Sequence, residues 1–151
     1  MNHIKRWIGY GALLALVLLA AGCPSGSNPP GTGKGKDKHE EKAPHDGILF
    51  AEPNHTYHAE LVLNKKESEV TVYLLDKRVK NPVVIEAKTI TLTVKNGKAE
   101  PIDLKATPQD TDKEGASRFV GKHEKFAADL DYDKVEITVE IKGKPYVLTK
   151  E

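Results

Sequence analysis

Along most of the chain, apolar residues return at every second position. Val70, Val72 and Leu74 alternate with Thr71, Tyr73 and Leu75. Ile90, Leu92 and Val94 alternate with Thr89, Thr91 and Thr93, and Val135, Ile137, Val139 and Ile141 with Glu136, Thr138 and Glu140. A period of two is that of a strand with one face turned inward. Shorter runs at Ile48–Ala51, Tyr57–Leu63, Val83–Ala87, Ala99–Ala106, Arg118–Val120 and Tyr146–Thr149 read the same way. Asn96-Gly97 and Lys142-Gly143-Lys144 supply hairpin chemistry between alternating runs, and Asn64 to Ser68 is a polar loop. Only Lys122–Asp131 offers a short helical turn. Eight or nine short strands over residues 45–151 predict an all-β domain, an antiparallel β-sandwich of immunoglobulin-like or fibronectin-like architecture. A barrel is the second arrangement the pattern allows. The Cys…Trp…Cys spacing of true immunoglobulin domains is absent, since the domain has neither residue.

The head of the chain breaks this pattern. His3, Lys5 and Arg6 precede 15 uncharged residues, Trp7 to Ala21. A basic start, an apolar run and small residues before a cleavage point are the signature of a secretory signal peptide. The run is short of the roughly 20 residues that a spanning helix needs. Leu19-Ala20-Ala21-Gly22-Cys23 resembles the lipobox of bacterial lipoproteins, with Ala20 standing where the family has Leu. The resemblance implies a diacylglyceryl group on the Cys23 sulfur and cleavage before it. An ordinary signal peptide with an incidental cysteine is the alternative. No Asp follows Cys23, which by the same resemblance favours the outer membrane and a periplasmic location. From Pro24 to Pro44 the chain has four Pro, four Gly and no large apolar residue. Such a segment cannot offset its ordering entropy by burial and reads as a tether, with an r.m.s. span of about 25 Å. The organisation expected is a signal peptide at 1–22, lipidated Cys23 with its linker at 23–44, and a β-domain at 45–151.

Composition narrows the function. Twenty-three Lys+Arg against 22 Asp+Glu leave a net charge of +1, unlike the basic stripe of a nucleic-acid binder. A single cysteine excludes a disulfide framework and a Cys-rich zinc site. With none in the domain, a thiol nucleophile is excluded as well. Ser68 and Ser117 lack a nucleophile elbow, and no glycine pattern matches a phosphate cradle. The acids of Asp129 to Asp133 lack the glycine and distal Glu of an EF-hand loop and read as a turn. A non-enzymatic protein is expected.

Histidine placement is the remaining signal. Of the domain's His45, His55, His58 and His123, three fall within 14 residues. His58 and Glu60 are two apart on a strand and so share a face. A hairpin about Pro53-Asn54 brings His45 back to the far part of the second strand. Imidazoles with one carboxylate suit Cu²⁺, Zn²⁺ or Ni²⁺, although surface histidines on a hairpin would leave the same pattern. The motifs His45-Asp46-Gly47-Ile48, Tyr57-His58-Ala59-Glu60, Val70-Thr71-Val72-Tyr73-Leu74-Leu75-Asp76 and Pro82-Val83 resemble His-rich heavy-metal-associated and YtkA-like envelope domains. Asp46 stands where that pattern has its first glycine. The resemblance covers about 45–105 and implies metal ligation at His45, His58 and Glu60; His55 is added from its position in the chain. The function expected is binding of copper or zinc in the cell envelope, for sequestration or hand-over to efflux or resistance components. The competing reading is a metal-free interaction lipoprotein that docks a partner through a sheet edge.

Because acylation requires the Cys23 sulfur, Cys23→Ser is expected to release the mature protein from membranes or to leave an uncleaved precursor. Detergent-phase partitioning distinguishes the outcomes. A cleaved serine variant that stays in the membrane fraction would contradict lipidation.

Overall fold

The computed structural model describes residues 42–151. The expected signal segment 1–22, the expected lipidation site Cys23 and the expected linker up to residue 41 lie outside the described residues. Eight strands follow: β1 Ile48–Ala51, β2 Tyr57–Asn64, β3 Glu69–Asp76, β4 Thr89–Val94, β5 Glu100–Ala106, β6 Arg118–Lys122, β7 Val135–Ile141 and β8 Lys144–Lys150. All pairings are antiparallel, in the order β1-β2-β3-β6-β5-β4-β7-β8. The sheet then closes on itself, Phe50 pairing with Lys150 and Ala51 with Thr149.

The chain is therefore all-β and antiparallel as expected, but it forms one closed barrel and not a two-sheet sandwich. The reason lies in what alternation encodes. Period two says which residues face inward, and both architectures have an inward face. The difference is made by the pairing of the first strand with the last, which no local pattern carries.

The inward set fills the barrel with Phe50, Leu61, Val72, Leu92, Leu104, Phe119, Ile137 and Leu148, all at most 1% exposed. Phe126 joins this core from a 3-10 turn, Glu124–Ala127, inside the segment expected to turn helically. The run Val83–Ala87, expected as a strand, is not one. The run makes only the isolated bridge Ile85–Ala116, next to the bridge Leu75–Pro82 just before it. Pro82 has no N–H to extend the ladder, although Val83 N still donates to Leu74 O at 2.9 Å. The β7–β8 connection is the anticipated two-residue turn, with positive φ at Lys142 (52°) and Gly143 (73°), the geometry of a type I′ hairpin. The acids of 129–133 each meet a lysine: Asp129 pairs with Lys65, Asp131 with Lys134 and Asp133 with Lys150.

Closure places the polar chemistry. Residues directly opposite in a ladder share a face, so Ala51, His58 and Thr149 all point outward where β2, β1 and β8 meet. Glu151 continues from β8 beside them, its N–H donating to Leu49 O at 3.2 Å.

Candidate metal centre

Four polar residues are buried among the described residues: Glu52, His58, Glu60 and Ser117. Three of them belong to the β1–β2 hairpin, and a buried polar group is costly unless it is satisfied. Each has a partner.

Glu60 has no exposure, yet it faces away from the core beneath the segment that leads into β1. Its Oε1 accepts the backbone N–H groups of His45 (2.7 Å) and Gly47 (2.8 Å). Its Oε2 accepts from His45 Nδ1 at 2.7 Å. The His45 ring stacks on Tyr73, with centroids 3.8 Å apart and planes at 9°. Tyr73 is the residue opposite Glu60 on β3. Gly47 is required by this crossing, since a Cβ there would lie 2.6 Å from Leu61 O. Glu60 is thus the anchor of the incoming chain, with both oxygens engaged by N–H groups.

Two residues earlier on the same face, His58 is 2% exposed. Its Nδ1 lies 3.1 Å from Asp76 O, which can only accept, so Nδ1 carries the proton. Nε2 is left to point at Glu151 Oε1, 3.3 Å away. His55 Nδ1 lies 3.2 Å from the same oxygen, and the two imidazole centroids are 5.6 Å apart. One donor atom from each of His55, His58 and Glu151 falls within 4.8 Å of the others.

The two carbonyl and carboxylate supports of this group are themselves tied down. Burial pushes the Asp76 carboxyl up. The Asn81 side-chain amide and the N–H groups of Lys80, Asn81 and Arg78 outweigh that and hold it at about 2. This network fixes the 76–81 loop, from which the Asp76 carbonyl reaches His58. The Asn54 N–H, followed by those of Thr56, holds the Glu52 carboxyl below the ordinary carboxylate range, against the opposing effect of burial.

The residues singled out from the sequence divide into two groups. His45 pairs with Glu60, and His55 converges with His58. His123, left out of the motif, caps the 3-10 turn through Lys125 N and pairs with Glu100 at 3.1 Å. Glu151 was not anticipated. It is remote in sequence from the histidines, and its approach follows only from the β1–β8 pairing. Ser117 Oγ donates to Asp112 and accepts from Gln109 Nε2 at 2.9 Å, which ties down its loop. No family model, curated protein or solved structure matches the chain.

Removing Glu60 leaves two backbone N–H groups and one imidazole N–H without their acceptor. Glu60→Ala is expected to cost about 3 kcal/mol in a urea unfolding titration. His45→Ala, which removes one partly exposed partner, should cost about 1 kcal/mol. A loss below about 1 kcal/mol for Glu60→Ala would contradict its role as the anchor.

Proposed function

We propose that this is a lipid-anchored protein of the bacterial cell envelope that binds a copper or zinc ion through His55, His58 and Glu151. The observation that carries the reading is the direction of His58 Nε2. Its ring proton is committed to the Asp76 carbonyl on the other nitrogen. Nε2 therefore faces a carboxylate oxygen at 3.3 Å, a contact that is attractive when a proton or a metal cation lies between the two atoms. A backbone carbonyl on the far nitrogen is the usual support of a metal-ligating histidine, because it fixes both tautomer and ring orientation. Distances agree with this. Ligands about 2.0–2.1 Å from a tetrahedral ion sit about 3.3 Å from one another, against 3.2 and 3.3 Å here.

The set differs from the one suggested by sequence resemblance, because both Glu60 oxygens are engaged by N–H groups of the incoming chain and the donor atoms that converge are those of His55, His58 and Glu151. Exposure suits exchange. The His58 side chain is buried, but those of His55 and Glu151 are 62% and 30% exposed, so an ion could be taken up or passed on from solvent. Three protein donors leave further coordination positions for water or for a receiving protein. This openness, together with the lipobox-like sequence before Cys23, supports a role in sequestration or hand-over to an efflux system at the membrane. The reading of a sheet-edge docking module gains less support, since every strand of the barrel is paired on both sides.

Calorimetry with Cu²⁺ and Zn²⁺ on the protein without a polyhistidine tag is the test. One ion per chain is expected. His58→Ala and Glu151→Ala should each weaken binding at least tenfold, and His123→Ala should leave it unchanged. Equal losses at His58 and His123, or no binding above that of scattered surface histidines, would overturn the proposal.

A further inference from the structure

The turn between β1 and β2 shows how His55 is presented. His55 has a φ of 53°, the left-handed region that glycine or asparagine fills most readily. An imidazole at such a position needs the surrounding structure to hold it there. That hold comes from one residue. Glu52 O accepts from His55 N at 2.9 Å. The Glu52 carboxylate accepts from Asn54 N at 2.9 Å, from Asn54 Nδ2 at 3.2 Å and from Thr56 N at 2.7 Å. Three consecutive backbone N–H groups, those of residues 54, 55 and 56, therefore converge on Glu52. Glu52 is 3% exposed, so the acceptor end of these charge-assisted bonds is largely shielded from water. Pro53 in the same turn pre-sets its own φ.

We infer that Glu52 is the positioning residue of the metal site: its buried carboxylate locks the 52–57 turn so that His55 aims Nδ1 at Glu151 alongside His58 Nε2. The inference rests on the metal-binding reading above and adds the element that makes His55 a ligand. Without the lock, the turn has no reason to keep His55 in left-handed geometry, and the ring would leave the cluster.

The test uses Cu²⁺ on the full chain in detergent, with binding followed by titration and ligation by electron paramagnetic resonance. The wild-type protein should show two coupled imidazole nitrogens, and His55→Ala one. Glu52→Gln keeps the shape but turns an amide N–H₂ toward backbone N–H donors. It should bind about tenfold more weakly and show one coupled nitrogen, with the barrel still melting cooperatively. A purely structural role would lower the melting temperature and leave two nitrogens in the folded protein. Two nitrogens and unchanged affinity in Glu52→Gln would overturn the inference while leaving the metal site standing. Absence of Cu²⁺ binding in the wild-type protein would instead remove the site and the inference together. Should Glu52→Gln not fold, Asn54→Gly removes only the amide donor and loosens the turn. An intermediate loss of affinity is then expected, and wild-type affinity and ligation would overturn the inference.

Discussion

Two residue pairs close this barrel. Phe50 with Lys150 and Ala51 with Thr149 join the first strand to the last, and without them the sheet would have two free edges. The same contact determines what lies on the outside. β1 is only four residues long, so the hairpin turn that follows it and the residue that follows β8 arrive at the same place. Glu151 is held there by its N–H on Leu49 O. The candidate metal centre is a product of closure and belongs to no single strand.

The second constraint is the price of polar groups in a buried outer layer. The outward face of β2 is covered by the incoming segment at His45 to Gly47 and by the 76–81 loop. His58 and Glu60, which alternation places on that face, are therefore buried as fully as the core. Glu60 meets this with three N–H donors, at least one on each oxygen. His58 meets it on one nitrogen only, through the Asp76 carbonyl, and directs the other at a carboxylate. That asymmetry separates the carboxylate that fastens the chain from the imidazole proposed to ligate.

Much of this was legible in the sequence. Period-two alternation located all eight strands to within two residues at each end and assigned Ile137, Val135 and Val139 inward, where all three are buried. The turn residues at Lys142-Gly143 named their hairpin. Val83–Ala87 misled because an apolar run before Ala87 can line a loop that packs on the core without entering a ladder. The His45–Glu60 approach was legible from the hairpin geometry. The choice of barrel over sandwich was not, since it depends on a contact between strands at opposite ends of the domain. Glu151 was hidden for the same reason. Glu52 was hidden for another: its carboxylate bonds only within its own turn, and Glu-Pro-Asn-His reads as an ordinary polar loop.

The central proposal is that closure of β1 on β8 builds a site whose ion would join the β1–β2 hairpin to the residue that follows β8. An ion held by His55, His58 and Glu151 would clip residues far apart in sequence, the arrangement in which such a clip restrains the chain most. Hydrogen exchange of the full chain with and without Zn²⁺ tests this most directly. The account predicts that Zn²⁺ slows exchange at Glu151, at β1 and through the 52–57 turn, and leaves the β4–β5 hairpin unchanged. Zn²⁺ that binds without protecting the β1–β8 seam, or that protects the His45–Gly47 segment in its place, would contradict it.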